Sequence, residues 1–233
     1  VLLSGETIDY GPCAFMNHYD PKTVYSSIDA NGRYAYQNQP YIASWNVSRF
    51  AEAILDLLDE SQETAISIAN EELKKFQDYY DKCWLENMSL KFGIKGPTEE
   101  DKVVVNEFMD MMSKYHADYT NTFVLLTEGR FEEIVFYNTK EWTEWFKIWT
   151  RALGYRRTDV NGRIQLMKQS NPTIIPRNHL VEEALDKATR DSDFTLFYQL
   201  LEQVLKPFDY TLKHNEKFTT PIEEENYKTY CGT

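Results

Sequence analysis

Apolar residues recur at helical spacing through most of this chain, and that pattern limits the fold more than any other feature. After Trp45, apolar side chains return every third or fourth residue, at Val47, Phe50, Ala51, Ile54, Leu55 and Leu58. Such spacing places them on one face of a helix. Similar patterns predict one or two helices over 61–92, a helix that begins after Thr98 as its N-cap, and another that begins after Asp118. Further helices are predicted over 140–153, 159–170, 179–189 and 192–205. The sequence therefore predicts a mainly α protein.

The first 44 residues differ from the rest because they are rich in Gly, Pro, Asn, Asp, Ser and Tyr and show no sustained helical period. They predict an extended, irregular segment with a turn at Asn31-Gly32. We divide the chain into this stretch (1–44), a helical part (45–206) and a polar tail (207–233), and expect one continuous domain. Either Ser44 or Asn46 is predicted to cap the helix that follows the irregular stretch. Trp142, Trp145 and Trp149 share one helix face and are predicted to be core.

Charge and hydropathy exclude several classes of partner. The net charge of −12 over 233 residues argues against nucleic acid, since phosphate-backbone binding requires lysine and arginine. No apolar run approaches the roughly 20 residues of a membrane-spanning helix. The three cysteines, Cys13, Cys83 and Cys231, have neither paired nor metal-ligand spacing and fit a reducing cytoplasm.

One short motif points to chemistry. Asp9-Tyr10-Gly11 has the form of the Asp-aromatic-Gly triplet whose carboxylate holds Mg²⁺ on the ATP phosphates in kinase-like folds. The same three residues also form an ordinary turn, in which Asp accepts backbone hydrogen bonds and Gly adopts positive φ. The triplet alone leaves both interpretations open.

Longer blocks of sequence accompany the triplet. They are Ser4 to Met16, Tyr19-Asp20-Pro21, Ser26 to Asp29, Gly32 to Pro40, Trp45-Asn46, Asp118 to Phe123, Asn171-Pro172, Pro176 to His179, Val181-Glu182 and Tyr230 to Thr233. In these blocks the chain resembles the selenoprotein O family (SelO, also called YdiU). The resemblance extends along essentially the whole chain and covers the back half of the family's protein.

This resemblance implies a protein-kinase-like C-lobe fragment, with an activation-segment-like N-terminal stretch and a helical C-terminal extension. It also implies a protein adenylyltransferase that uses Mg²⁺ or Mn²⁺ and transfers AMP from ATP to Ser, Thr or Tyr hydroxyls of proteins. Asp9 alone carries over, as a metal ligand that thereby binds the ATP phosphates. The family's catalytic Asp lies upstream of Val1, so the fragment by itself is expected to be inactive. A bacterial cytoplasmic location is implied, or a mitochondrial one in a eukaryote.

Two other functions remain open at this point. The chain would be a non-catalytic helical scaffold if the parent protein lacked the upstream nucleotide-binding elements. The full-length protein would be an ordinary phosphotransferase if it transferred a phosphoryl group instead of AMP. The family carries a cysteine or selenocysteine near its C-terminus, which implies a redox role for Cys231. Cys13 lies four residues after Asp9, so a reversible disulfide with Cys231 is predicted if the tail packs back on this segment. The alternatives are a free tail thiol at Cys231 and a small buried residue at Cys13.

Three further side-chain roles are predicted from the same segments. A buried loop arginine can bind phosphate bidentately or anchor the irregular stretch to an acidic helix residue. The anchoring role is predicted for Arg33, because the resemblance places its block downstream of the family's nucleotide-binding loops. The amides of Gln37-Asn38-Gln39 are predicted to satisfy backbone groups of the loop. His179, at a predicted helix start, is predicted to cap or pack rather than to catalyse.

Overall fold

The computed structural model describes residues 6, 13–155, 159–222 and 227–229. Those residues are mainly helical, which confirms the predicted class. The α-helices are α1 (Gln39–Ala53), α2 (Leu55–Leu58), α3 (Gln62–Lys91), α4 (Lys102–Lys114), α5 (Tyr119–Glu128), α6 (Lys140–Tyr155), α7 (Val160–Ser170), α8 (Asn178–Asp191), α9 (Thr195–Val204) and α10 (Glu216–Thr219). Within the described ranges, β-structure is confined to two isolated bridges, His18 with Asp118 and Ser26 with Thr229.

Helix boundaries follow local chemistry. α1 begins at Gln39, ahead of Ser44 and Asn46, so the caps predicted at those residues are wrong. Pro40 accounts for the earlier start, because its fixed φ and missing N–H suit the first helical turn. Thr98 does cap the next helical segment, where its side chain and that of Asp101 form a capping box.

α3 is a single helix of 30 residues over the region where either one or two helices were predicted. Gly93 lies just beyond its end with a φ of +73°. A Cβ at this position would lie 3.3 Å from the carbonyl oxygen of Arg163. The glycine therefore allows both the left-handed backbone and the close approach of α7.

The chain divides into two compact units. Of the described residues, the first unit contains Glu6, Cys13, Pro21–Trp84 and 227–229. The second contains Ala14–Asp20 and the described residues of 85–222.

Aromatic side chains form the main core of the second unit. Trp142, Trp145 and Trp149 are at most 5% exposed, which confirms their prediction as core residues. The indole N–H of Trp145 donates to the Val104 carbonyl at 2.8 Å, and that of Trp149 to the Phe92 carbonyl at 2.9 Å. Each tryptophan thus contributes apolar area without leaving its polar atom unpaired.

A second cluster of buried apolar residues lies beneath α8 and α9. It consists of Ile174, Leu180, Ala184, Leu196, Leu200 and Phe218. This packing fixes the start of α8, where Arg177 is the N-cap residue.

Lys91, in the last turn of α3, is held in a largely apolar environment. Its ammonium lies 4.6 Å from the ring centre of Phe123 and donates to the Ser170 carbonyl oxygen at 3.2 Å. Burial lowers the pKa of Lys91 from 10.5 to about 8. The desolvation cost of the charged form therefore exceeds the gain from these contacts.

A pH dependence of stability follows. Between about pH 8 and 10.5 the unfolded chain keeps a proton on Lys91 that the folded chain loses, so stability rises with pH in this window. Relative to Lys91→Met, the wild type should gain about 1–3 kcal/mol in its free energy of unfolding between pH 7 and 10. Urea unfolding at both pH values measures this difference. Lys74→Met, an exposed site on the same helix, is the control, and an equal response of both variants would contradict the prediction.

Candidate functional site

The predicted metal ligand Asp9 lies outside the described residues, as do Tyr10, Gly11 and Cys231. Cys13 is described and exposed, so the interpretation of Cys13 as a small buried residue is wrong. A disulfide between Cys13 and Cys231 stays a prediction, which requires Cα atoms within about 7 Å of each other. Among the residues that the structure describes, no three His, Cys, Asp or Glu side chains form a group that could hold a metal ion.

The segment that follows the Asp9 motif, Ala14–Asp20, belongs to the second unit and is held there by hydrogen bonds to its backbone. The Phe15 N–H donates to Asn178 Oδ1 at 2.8 Å, and Asn178 Nδ2 donates to the Phe15 carbonyl, also at 2.8 Å. Further along, the Tyr19 N–H donates to the Ala117 carbonyl at 3.0 Å, and the Tyr119 N–H to the Asn17 carbonyl at 2.8 Å. Three alternate residues of the segment are therefore fixed through their backbone.

Arg177 lies at the centre of these contacts and is 1% exposed. Its guanidinium donates to both carboxylate oxygens of Asp118, at 2.7 and 3.3 Å. It also donates to Asn17 Oδ1 at 2.8 Å, to Asn121 Oδ1 at 3.3 Å and to the Thr219 carbonyl at 2.8 Å. The arginine thus connects the segment after Asp9 with the starts of α5 and α8 and with the end of α10.

Asp118 makes a second stabilising interaction, as the N-cap of α5. Its Oδ1 accepts from the Asn121 N–H at 2.7 Å, and its side chain is only 10% exposed. A carboxylate here also interacts favourably with the positive end of the helix dipole. We call the set Asn17, Asp118, Asn121, Arg177 and Asn178 the anchoring network.

The sequence prediction placed the anchoring arginine at the wrong position. Arg33 is exposed, and its guanidinium lies 4.8 Å from the Trp45 ring centre. Arg177, rather than Arg33, is the buried arginine that pairs with a carboxylate, that of Asp118. A usable signal was present: an arginine at the start of a predicted helix is unfavourable beside the positive dipole end unless a carboxylate pairs with it. Asp118, at another predicted helix start, is that carboxylate.

The predicted role of the loop amides agrees with the structure. Asn38 Nδ2 donates to the Gly32 carbonyl and Gln39 Nε2 to the Tyr34 carbonyl, both at 2.8 Å, which confirms that these amides satisfy loop backbone groups. His179 is half-buried in the first turn of α8.

Residues 1–205 match the family model described as protein adenylyltransferase SelO. The chain belongs to the SelO family. The family predicted from the sequence is thereby confirmed, and the anchoring network lies wholly within the matched residues.

The chain is also similar to bacterial SelO-family proteins that are named protein nucleotidyltransferase YdiU. Those from Clostridium botulinum (strain Alaska E43 / Type E3) and Brevibacillus brevis are each 48% identical to it, over 235 and 234 residues. The protein from Bacillus cereus (strain ATCC 10987 / NRS 248) is 44% identical over 234 residues. Each alignment covers 100% of this chain but 48% of the relative, so the chain spans about half the length of these proteins. Among the described residues of this SelO-family chain, no helix has the length and apolar character needed to cross a bilayer.

Proposed function

We propose that this chain is part of an enzyme that transfers AMP from ATP to Ser, Thr or Tyr hydroxyls of proteins, with Mg²⁺ or Mn²⁺ as cofactor. Family membership supports the nucleotidyl-transfer class. The structural observation that carries the proposal is the anchoring network, which fixes the chain from Phe15 onward, six residues after Asp9. Residues 1–44 would then act as an activation-segment-like stretch and the helices as a kinase-like C-lobe with a helical extension.

Asp9 is the residue of this chain that would hold the metal ion. A carboxylate oxygen is a hard ligand that suits Mg²⁺ or Mn²⁺, and Mg²⁺ commonly binds one or two carboxylates together with substrate phosphates and water. When bound, the metal would compensate charge on the phosphates during transfer. The anchoring network would contribute by limiting the positions available to the backbone after Asp9, so that less entropy is lost when the carboxylate meets the metal.

The remaining catalytic groups would be supplied by the part of the family's protein that this chain does not include. The 233 residues contain no G-x-G phosphate loop, and no Asp or Asn precedes Asp9. We propose that the chain alone is inactive and that the full-length protein acts in the bacterial cytoplasm, in keeping with the bacterial relatives.

Intact-mass spectrometry of a protein substrate tests this function. Incubation with a full-length protein that contains this chain, ATP and Mg²⁺ or Mn²⁺ should add the mass of an adenylyl group, whereas the 233-residue chain should add nothing. Addition of a phosphoryl group would instead identify an ordinary phosphotransferase. Absence of any addition across a panel of proteins, including the enzyme itself, would favour the helical scaffold.

A further inference from the structure

A small apolar cleft opens between α5, α6 and α7 in the second unit. Its volume is about 280 Å³, close to the lower limit of about 300 Å³ for small-molecule sites. The main apolar contributors are Phe131, Phe146, Trp149, Leu153, Ile164 and Met167. Trp149 and Met167 are 5% and 4% exposed, whereas Phe131 and Phe146 are only partly buried. The cleft therefore gives a small molecule access to the aromatic core of this unit.

The end of α5 leaves the cleft open on one side. Gly129 ends that helix with a φ of +72° and also lines the cleft. A Cβ at this position would meet no atom within 4 Å apart from its own chain neighbours. Space for ligand atoms therefore lies directly beside the backbone here.

Three aromatic rings line the cleft in mutual edge-to-face contact. The ring centre of Phe146 lies 5.4 Å from that of Phe131 and 5.6 Å from that of Trp149, with interplanar angles of 70° and 74°. Phe131 and Trp149 are 6.1 Å apart at 87°. Ring edges carry partial positive charge and ring faces partial negative charge, so a further ring can extend such a cluster in the same geometry. The lining favours a ligand with an aromatic or similarly compact apolar body.

A charged residue of α7 also lines the cleft. Val160, Arg163, Ile164 and Met167 recur at helical spacing, so one face of α7 forms this wall. The Arg163 side chain is partly buried. Among the described residues, its guanidinium has neither an ion pair nor a hydrogen bond. A partly buried charge without a partner is unfavourable, and an anion in the cleft would compensate it.

Two carboxylates close to Arg163 in the fold or the sequence are engaged elsewhere. Glu128, which also lines the cleft, binds Arg130 at 3.0 Å. Asp159, one turn before Arg163, caps α7 by accepting from the Gly162 N–H at 2.8 Å. The positive charge of Arg163 therefore remains available to a ligand. A planar guanidinium matches the two oxygens of a carboxylate.

We propose that this cleft binds a small monocarboxylate with an aromatic or short aliphatic body. The carboxylate pairs with the Arg163 guanidinium, and the body packs against Phe131, Phe146 and Trp149. One guanidinium balances one negative charge, and the carboxylate of Glu128 opposes a second, so the cleft favours a carboxylate over a phosphate dianion. This inference rests on the second unit alone and is independent of AMP transfer.

Binding of 4-fluorophenylacetate to the 233-residue chain tests the proposal. Titration followed by fluorine NMR should give a Kd of about 1 mM or tighter. The uncharged 4-fluorophenylacetamide, which has nearly the same shape, should bind at least about tenfold more weakly. Absence of acid binding up to about 10 mM, or equal affinity for acid and amide, would overturn the proposal. Tighter binding of phenyl phosphate than of the acid would also overturn it, because the site would then select phosphate.

Variants place the binding in this cleft. Arg163→Met should weaken binding of the acid at least about tenfold and leave binding of the amide unchanged. Arg151→Met, an exposed arginine on α6 that does not line the cleft, is the matched control and should change neither. Unchanged acid binding in Arg163→Met, or an equal loss in both variants, would overturn the proposal.

A third variant keeps the test decisive if Arg163→Met fails to fold. Val160 is 58% exposed at the edge of the cleft, so a larger side chain there is compatible with the fold. Val160→Trp should weaken binding of acid and amide alike, because the indole occupies part of the cleft. Full retention of acid binding by this variant, with folding established by circular dichroism, would place the ligand elsewhere and contradict the proposal.

Discussion

Replacing Arg177 with methionine is expected to lower the free energy of unfolding of this chain by about 3–5 kcal/mol. The substitution removes a guanidinium that is 1% exposed and leaves the Asp118 carboxylate without the bidentate partner that compensates its burial. It also removes donors to Asn17 and to the Thr219 carbonyl. Urea unfolding measures the loss, and hydrogen exchange at the Phe15 and Tyr19 amides should accelerate as the segment after Asp9 is released.

Arg130→Met is the matched control for this prediction. Arg130 also donates to two carboxylates, those of Glu128 and Glu133, but its side chain is 50% exposed. An exposed ion pair of this kind contributes about 1 kcal/mol or less. A similar loss of stability in the two variants would show that burial of Arg177 has no special effect.

A second substitution tests the cause of the expected loss. If the uncompensated charge of Asp118 dominates, Asp118→Asn should restore part of the stability lost in Arg177→Met, because an asparagine can still cap α5. If the double variant instead loses as much stability as the two single variants added together, the two side chains are not coupled. The proposed central role of the Arg177–Asp118 pair would then be contradicted.

Asp9→Asn in a full-length protein is expected to reduce AMP transfer by on the order of 10³-fold or more. Loss of one metal-ligating carboxylate removes several kcal/mol of charge compensation in the transition state, and each 1.36 kcal/mol corresponds to a factor of about ten in rate. The adenylyl group transferred to a protein substrate, followed over time by mass spectrometry, gives the rate. Circular dichroism establishes whether the variant is folded.

Asp20→Asn, an exposed carboxylate in the same segment, is the control for Asp9. It should retain near-normal transfer. Should Asp9→Asn remain as active as this control, the Asp9-Tyr10-Gly11 triplet would be a structural turn and the metal would have to bind elsewhere.

Helix existence could be predicted from the sequence because it depends on short-range periodicity. The tryptophan face of α6 and the capping role of Thr98 follow from spacings of three or four residues, and both are confirmed. Apolar periodicity does not locate the start of α1, because Pro40, whose restricted φ favours the first turn of a helix, lies ahead of the first periodic apolar residue.

The anchoring network could not be predicted in the same way. Its members are brought together from positions as far apart as Asn17 and Arg177, and no local spacing specifies such a contact. The resemblance identified the blocks that contain all of these residues except Asn17, but gave no reason for their chemistry. Only the three-dimensional placement shows that Arg177 and Asp118 form a buried pair and that Asn178 binds the backbone of Phe15.

The long sequence separation within the anchoring network has a consequence for synthesis on the ribosome. Asn178 and Phe15 are 163 residues apart, so the segment after Asp9 emerges well before the side chain that binds its backbone. At about 5–20 residues per second this interval lasts roughly 8–33 s. Throughout that time the nascent chain lacks the Asn178 side chain that binds Phe15, although Ala117 and Tyr119, which bind the backbone of Tyr19 and Asn17, emerge earlier. The segment that follows Asp9 therefore reaches its fully anchored position only after the start of α8 has been translated and folded.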